Sequence, residues 1–212
     1  MDAIYDEMYA RNTTWLQTNA IVPDPLLLTP SLDSRKCIAL VAQGEITDIN
    51  MEQITNISVP LSYAWTIPKM HSTFIVLRGW NAKNLSNEDW TPLKSILSTI
   101  SPYEIIFDRV IPVKTGLVLC GTPSININAI RDQIRAAGYE TDVLYKCDIV
   151  HTTILRWTQE ITPADQAVWL QQIMALPRKP YAKMTVTGFD IALASWSMQP
   201  GTTTLYDSIP LT

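Results

Sequence analysis

The chain has very little of several residue types that mark common classes of protein. It contains two histidines and three cysteines. The cysteines, Cys37, Cys120 and Cys147, are odd in number, widely spaced and without a Cys-x-x-Cys pair, so they indicate neither a disulfide framework nor a zinc cluster. No apolar run approaches the roughly 18 residues of a membrane-spanning helix, and we expect no membrane partner.

Positive charge is scarce as well. Lysine and arginine total 16 against 20 acidic residues, which gives a net charge of −4 and a pI near 5.1. Long nucleic acid is bound by a basic face that neutralises many phosphates, so a long duplex is excluded as a partner. A small nucleotide or a short RNA end needs only a few local donors and fits this composition.

The start of the chain carries Asp2, Asp6 and Glu7, where a secretory signal would be basic and then apolar. We therefore expect a cytoplasmic protein. A hydrophobic content of 47% is enough to bury one substantial core or two small lobes that share an interface. We expect an ordinary globular protein that is a monomer.

The two histidines share one local pattern. The sequence around His71 reads MHSTFI, and the sequence around His151 reads VHTTIL. Both runs are strand-like, so His and the Thr two residues later project from the same face. Each histidine therefore has a hydroxyl partner, Thr73 in the first motif and Thr153 in the second.

The similarity continues downstream of the motifs. An arginine and a tryptophan, a helical stretch and a Pro-Tyr pair follow each histidine, and the Pro-Tyr pairs (Pro102-Tyr103 and Pro180-Tyr181) open further strands. The motifs are about 80 residues apart, which predicts an internal duplication.

Hydrophobic periodicity and turn residues predict the remaining elements. Prolines make residues 22–34 a connector, so the chain divides into an N-terminal helical extension with connector, 1–34, and a domain of 35–212 that holds both motifs. We expect the extension to be a helix packed on the outside of the duplicated unit, with a lid or a partner surface as alternatives. The predicted helices are 1–20, about 90–100, 125–137 and 162–176, and the predicted strands are 35–44, 69–77, 103–113, 117–120, 148–157, 181–195 and 205–211.

Two duplicated halves related by a pseudo-twofold axis would bring their histidine strands together at a central cleft. Two histidines in one cleft suit acid–base chemistry. Histidine titrates near pH 6.5, so one imidazole can be a neutral base while the other is a protonated acid. This pair can cleave a phosphodiester by in-line attack, and the threonine hydroxyls can donate to the phosphoryl oxygens. A metal site is disfavoured because the nearest carboxylate in sequence is Asp148, and a serine or cysteine nucleophile has no distinctive setting.

The sequence resembles the 2H phosphoesterase superfamily over about residues 35–211. The resemblance rests on the two His-x-Thr motifs and on the leading strand RKCIALV, which begins at Arg35. It implies a bilobal, duplicated α+β fold with two mainly antiparallel sheets around a central cleft and helices outside. It also implies that His71 and His151 are catalytic, that Thr73 and Thr153 bind phosphate, and that neither a metal nor a cofactor is needed.

The expected function is therefore that of a metal-independent phosphoric diester hydrolase acting on a ribose phosphodiester. The resemblance covers 2′,5′ RNA ligase-like proteins and cyclic nucleotide phosphodiesterases, so a 2′,3′-cyclic phosphate, a 2′,5′-linked or cyclic oligonucleotide and an RNA end all fit. Two alternatives stay open: RNA ligase-direction transesterification, and a non-catalytic protein that binds nucleotides or RNA ends.

Residues outside the motifs are weaker candidates. Strict alternation from the histidines puts Arg78 and Arg156 on the opposite face from the site, although both lie at strand ends, and Lys69 has the right parity but can equally be a solvated strand start. We do not assign these three to catalysis. The candidates for stacking on a base are the aromatic residues near the motif strands or their ends: Tyr63, Trp65, Trp80, Trp157 and Trp196.

Overall fold

A computed structural model describes residues 1–47, 50, 52–55, 62–64, 70–79, 88–141, 143, 146–195 and 203–212. The helices in this part of the chain are α1 (Asp2–Thr18), α2 (Glu52–Thr55), α3 (Thr91–Leu97), α4 (Ile127–Ala136) and α5 (Pro163–Met174). The strands are β1 (Lys36–Thr47), β2 (Ser62–Ala64), β3 (Ser72–Arg78), β4 (Tyr103–Val113), β5 (Gly116–Pro123), β6 (His151–Trp157), β7 (Ala182–Ser195) and β8 (Thr204–Pro210). None of the described helices is both long and apolar enough to cross a membrane.

The structure confirms the predicted α+β class and, apart from the short α2 and β2, the order of the predicted elements. A helix and two strands follow each motif strand: α3, β4 and β5 after β3, and α5, β7 and β8 after β6. Local signals in the sequence explain where α5 begins. Thr162 caps α5 by accepting a hydrogen bond from the backbone N–H of Asp165, and Pro163 occupies the first helical position.

The described strands form one antiparallel sheet, where the sequence predicted two. Hydrogen bonding runs in the order β1-β3-β6-β5-β4-β7-β8, and β1 pairs with β7 as well, so six strands close into a barrel. The long β7 makes this closure possible because it pairs with β1 along nearly its whole length and with β4 and β8 in succession on its other side. Hydrophobic periodicity reports which residues are buried, not which strands are neighbours, so it could not distinguish the two arrangements.

Helices α3, α4 and α5 pack on the sheet through a continuous hydrophobic core. Residues Leu93, Ile134 and Trp169 represent the three helices in this cluster, and each has at most 1% of its surface exposed. The ring of Trp169 meets that of Trp157 edge to face, with centroids 4.9 Å apart, which seats α5 against β6. The core therefore supports the motif strands from one side.

Candidate active site

The two motif strands pair with each other, and this pairing brings the motifs together. β3 and β6 are antiparallel, with Ser72 opposite Thr152. Residues directly opposite in an antiparallel pair project from the same face of the sheet. Extending the register by one residue in each direction sets each histidine opposite the threonine of the other motif: His71 opposite Thr153, and Thr73 opposite His151.

Burial alternates along both strands as this register requires. Ser72 and Thr152 are buried, with 2% and 1% of their surface exposed. The histidine and threonine of each motif, on the other face, are all partly exposed. We name the face that carries these four residues the motif face and the opposite one the core face.

A β-bulge three residues after each histidine interrupts the alternation. The register between β3 and β1 skips Phe74, and the register between β6 and β5 skips Ile154. An extra residue reverses which face the following side chains occupy, so Arg156 lies on the motif face. The prediction that Arg156 is on the opposite face is therefore wrong. Its sequence signal is the pair of consecutive apolar residues after each motif, which breaks the alternation of buried and exposed positions.

Arg78 behaves as predicted, because a second register shift on β3, at Leu77, restores the original alternation. The Arg78 guanidinium pairs with the carboxylate of Glu88 and lies 5.2 Å from the centre of the Tyr139 ring. These contacts hold it on the core face, away from the motifs. Lys69 lies outside the described residues.

Arg156 is placed to contribute positive charge to the site. Its Nη1 donates a hydrogen bond to Oγ1 of Thr115 at 3.0 Å. Burial lowers the pKa of Arg156 to about 10, which still leaves the guanidinium charged near neutrality. The side chain follows His151 and Thr153 along the motif face.

His151 is held in its neutral form. Burial, followed by the positive charges of Arg156, His71 and Arg131, lowers the pKa of His151 to about 4. Among the described residues, its buried Nδ1 has no hydrogen-bond partner. A neutral imidazole with a free nitrogen is equipped to accept a proton.

The described residues do not favour a cysteine nucleophile or a metal centre at this site. Cys120 of β5 is directly opposite His151, but burial raises the pKa of its thiol to about 12, so it stays protonated and is a poor nucleophile. In the described ranges, no group of three or more histidine, cysteine, aspartate or glutamate side chains is placed to hold a metal ion.

The N-terminal helix forms a wall of the site. Val118 and Cys120 on β5 are opposite Thr153 and His151, and they share the motif face with them. Tyr5 of α1 is fully buried in a cluster with these two β5 residues. The extension is thus packed against the sheet, and it covers part of the motif face at β5.

Two further sets of contacts fix this segment. The buried guanidinium of Arg109 on β4 pairs with the carboxylates of Asp2 and Asp6 at 2.6 and 2.9 Å. The connector that follows α1 passes the end of β6, where the backbone N–H of Asp24 donates to the carbonyl of Trp157 at 2.8 Å. Sequence reasoning missed these contacts because they join residues more than 100 positions apart in sequence without any local signal.

Tyr5 also anchors the backbone next to His151. Its hydroxyl accepts a hydrogen bond from the N–H of Val150 at 3.0 Å and donates to the carbonyl of Gly121 at 2.7 Å. Burial raises the pKa of the Tyr5 hydroxyl, so it keeps the proton that it donates.

We expect Tyr5→Phe to lower the free energy of unfolding by about 1 to 3 kcal/mol, because a buried N–H and a buried carbonyl lose their partner. Urea denaturation measures this change. Tyr9→Phe is the matched control one helical turn later, since the Tyr9 hydroxyl makes no hydrogen bond to a described residue, and it should cost less than about 0.5 kcal/mol. Equal losses in the two variants would contradict the anchoring role of Tyr5.

The structure describes the side chain of only one of the five predicted stacking residues, Trp157. Trp157 is fully buried on the core face against Trp169, which excludes the predicted contact with a ligand base. The backbone of Tyr63 pairs with that of Arg156, but its side chain lies outside what is described. Trp65, Trp80 and Trp196 lie outside the described residues altogether.

Comparison with known proteins finds no match in sequence and a limited similarity to solved structures. No protein-family profile and no curated protein sequence matches the chain. The structure of E. coli LigT complexed with phosphate is similar at 15% identity and a TM-score of 0.48, over 84% of this chain and 98% of LigT.

Two further solved structures are similar to the chain to about the same degree. One is described as a phosphoesterase, with 15% identity and a TM-score of 0.45 over 84% of this chain and 99% of that one. The other is TT0787 of Thermus thermophilus, with 10% identity and a TM-score of 0.48 over 82% and 97% of the two chains.

Proposed function

We propose that this protein is a metal-independent phosphodiesterase that acts on a ribose phosphodiester at the site where β3 and β6 pair. The observation that carries the proposal is the register of Ser72 opposite Thr152, because it puts both histidines and both motif threonines on one face of one strand pair. Two imidazoles at one site can act as a matched acid and base.

We assign His151 as the general base and His71 as the general acid. The low pKa of His151 supports its role as base, since the imidazole is neutral before substrate binds. For a cyclic phosphate, His151 takes a proton from water as the water oxygen bonds to phosphorus. His71 gives a proton to the ribose oxygen as the old P–O bond breaks, and solvent then returns the protons to their starting positions.

The remaining polar groups of the motif face fit the phosphate itself. Thr73 and Thr153 lie on either side of the Ser72–Thr152 pair. Their hydroxyls can donate to two non-bridging oxygens, where negative charge builds in the transition state. Arg156 adds a charged donor that suits a phosphate, and this explains how an acidic protein can bind an anion locally.

Two alternatives use the same site. A ligase-direction reaction needs the same acid and base, because transesterification is reversible. A non-catalytic binder of nucleotides or RNA ends would use the threonines and Arg156, but it has no need of a neutral base beside an acid, so the depressed pKa of His151 favours catalysis.

The proposal is tested by incubating the protein with 2′,3′-cyclic nucleotides, 2′,5′-linked oligonucleotides and cyclic dinucleotides in excess EDTA. We expect turnover of at least one of these substrate classes, at the same rate with EDTA as without it. Binding without turnover would favour the non-catalytic alternative, and activity that is lost in EDTA and restored by a divalent ion would overturn the mechanism.

The pH dependence of kcat/KM should carry the signature of His151. Because the base must be neutral, we expect activity to persist down to about pH 5 and to fall as the pH approaches 4, well below the limb of an ordinary histidine. Arg156→Gln removes one of the charges that lower this pKa, so its acid limb should lie at higher pH. A wild-type limb near pH 6.5 that Arg156→Gln leaves in place would contradict the assignment of the base.

A further inference from the structure

Arg131 of α4 contacts the backbone of the first motif and the backbone immediately before the second motif. Its Nε donates to the carbonyl of Phe74, the residue after Thr73, at 2.8 Å. Its Nη2 donates to the carbonyl of Ile149, two residues before His151, also at 2.8 Å. One planar guanidinium therefore ties together the two chain segments whose pairing forms the site.

The charge of Arg131 is also unusual. The side chain is fully buried, and among the described residues no carboxylate lies within ion-pairing distance of it; its third hydrogen bond goes to the neutral Oδ1 of Asn128 at 2.9 Å. Several other arginines of the described chain do pair with carboxylates: Arg35, Arg78, Arg109, Arg135 and Arg178. Burying a charge without a counter-ion is costly, so such a charge needs a reason.

The position of Arg131 next to the motifs explains why a buried positive charge is kept there. It lines a small internal space together with Ser72, Thr73 and Val150, directly behind the pairing of the motif strands. A positive charge there is close enough to His151 to contribute to its low pKa. The anion that such a charge favours is one bound at the motif threonines and histidines.

We propose that Arg131 is a positioning residue of this site. It holds the two motif strands together where they pair, and its unpaired charge favours the binding of an anionic phosphate on the motif face. This inference rests on the proposed function, because it takes phosphate as the group that the motifs bind. Arg131 itself touches neither the substrate nor the reacting atoms.

The sharpest test changes the charge and leaves the bridge intact. Asn128→Asp gives Arg131 a carboxylate partner without altering its bonds to Phe74 and Ile149, and an acidic residue in the first turn of α4 is compatible with the helix. Asn128→Ala is the matched control, since it removes the same hydrogen bond and adds no charge. Affinity for inorganic phosphate is measured by calorimetry, and the pKa of His151 by NMR.

We expect Asn128→Asp to weaken phosphate binding by about three- to tenfold and to raise the pKa of His151 by about half a unit to one unit. Asn128→Ala should leave both within about twofold of the wild type. Among the described residues, the titratable and charged groups that surround His151 are Arg156 on its own strand, His71 immediately before β3, Cys120 on β5, Arg131 on α4 and Tyr5 on α1.

Substitutions of Arg131 separate its two contributions. Arg131→Gln should raise the pKa of His151, whereas Arg131→Lys should keep that pKa low, because only the lysine retains the charge. Arg135→Gln is the control on the same helix: it breaks the ion pair with Glu140 but should leave phosphate affinity and the pKa of His151 unchanged. If the Arg131 variants do not fold, the two Asn128 variants still decide the question.

The outcomes distinguish this inference from the proposed function. Wild-type protein that does not bind phosphate, or binds it with an affinity that His71→Ala and His151→Ala do not change, would overturn the proposed function. Wild-type binding at the motifs, with Asn128→Asp and Asn128→Ala equal to each other, would overturn the role of Arg131 alone.

Discussion

His71→Ala and His151→Ala are each expected to reduce turnover by about a hundred- to ten-thousand-fold, which is the usual cost of losing a general acid or base. The double variant should be little worse than either single variant, because an acid and a base that act in one step are not additive. Rates in excess EDTA on the substrate class identified above measure the effect. Circular dichroism and thermal unfolding verify that each variant keeps the fold.

Near-wild-type activity in either single variant would exclude the two-histidine mechanism. Additive losses, in which the double variant falls by the product of the two single effects, would also contradict it, since that result belongs to two groups that act independently. The register places each histidine opposite the threonine of the other motif. In the proposed mechanism both histidines act on the same phosphate, so the loss of either one should abolish most of the activity.

Thr73→Val and Thr153→Val should each lose about 2 to 4 kcal/mol of transition-state stabilisation, through a lower kcat together with weaker phosphate binding. Valine keeps the shape and the strand preference of threonine, so the hydroxyl is the group that is tested.

Thr152→Val is the matched control for these variants. Thr152 lies between the two residues of the second motif, but its buried hydroxyl faces the core and has no hydrogen-bond partner among the described residues. Its loss should leave the kinetics unchanged. Similar kinetic losses in all three variants would mean that the threonines act only through the strands.

The sequence was sufficient to predict the elements of the fold because their signals are local. Caps, prolines and periodicity placed α1, α4 and α5 and the long strands to within a few residues. Local signals could not predict that the sheet closes into a barrel. It depends on the pairing of β1 with β7, whose register runs from Lys36 opposite Ser195 to Thr47 opposite Lys183.

The candidate site divides in the same way. The two His-x-Thr motifs are visible as a repeated local pattern, and alternation correctly puts the histidine and threonine of each motif on one face. Alternation failed at Arg156 because of the bulge at Ile154, although the paired apolar residues there were a usable signal. Tyr5 and Arg131 carry no local signal, because only the folded chain brings them to the backbone immediately before β6.

The central claim is that the two motifs form one phosphate site, and NMR of the two imidazoles tests it most directly. The chain has two histidines, so ¹⁵N-labelled histidine gives two ring systems, which the single alanine variants assign. During titration with inorganic phosphate at constant ionic strength and in EDTA, we predict that both rings respond and that the two responses give the same dissociation constant. A response of one ring alone, two different constants, or no response from either ring would contradict the account.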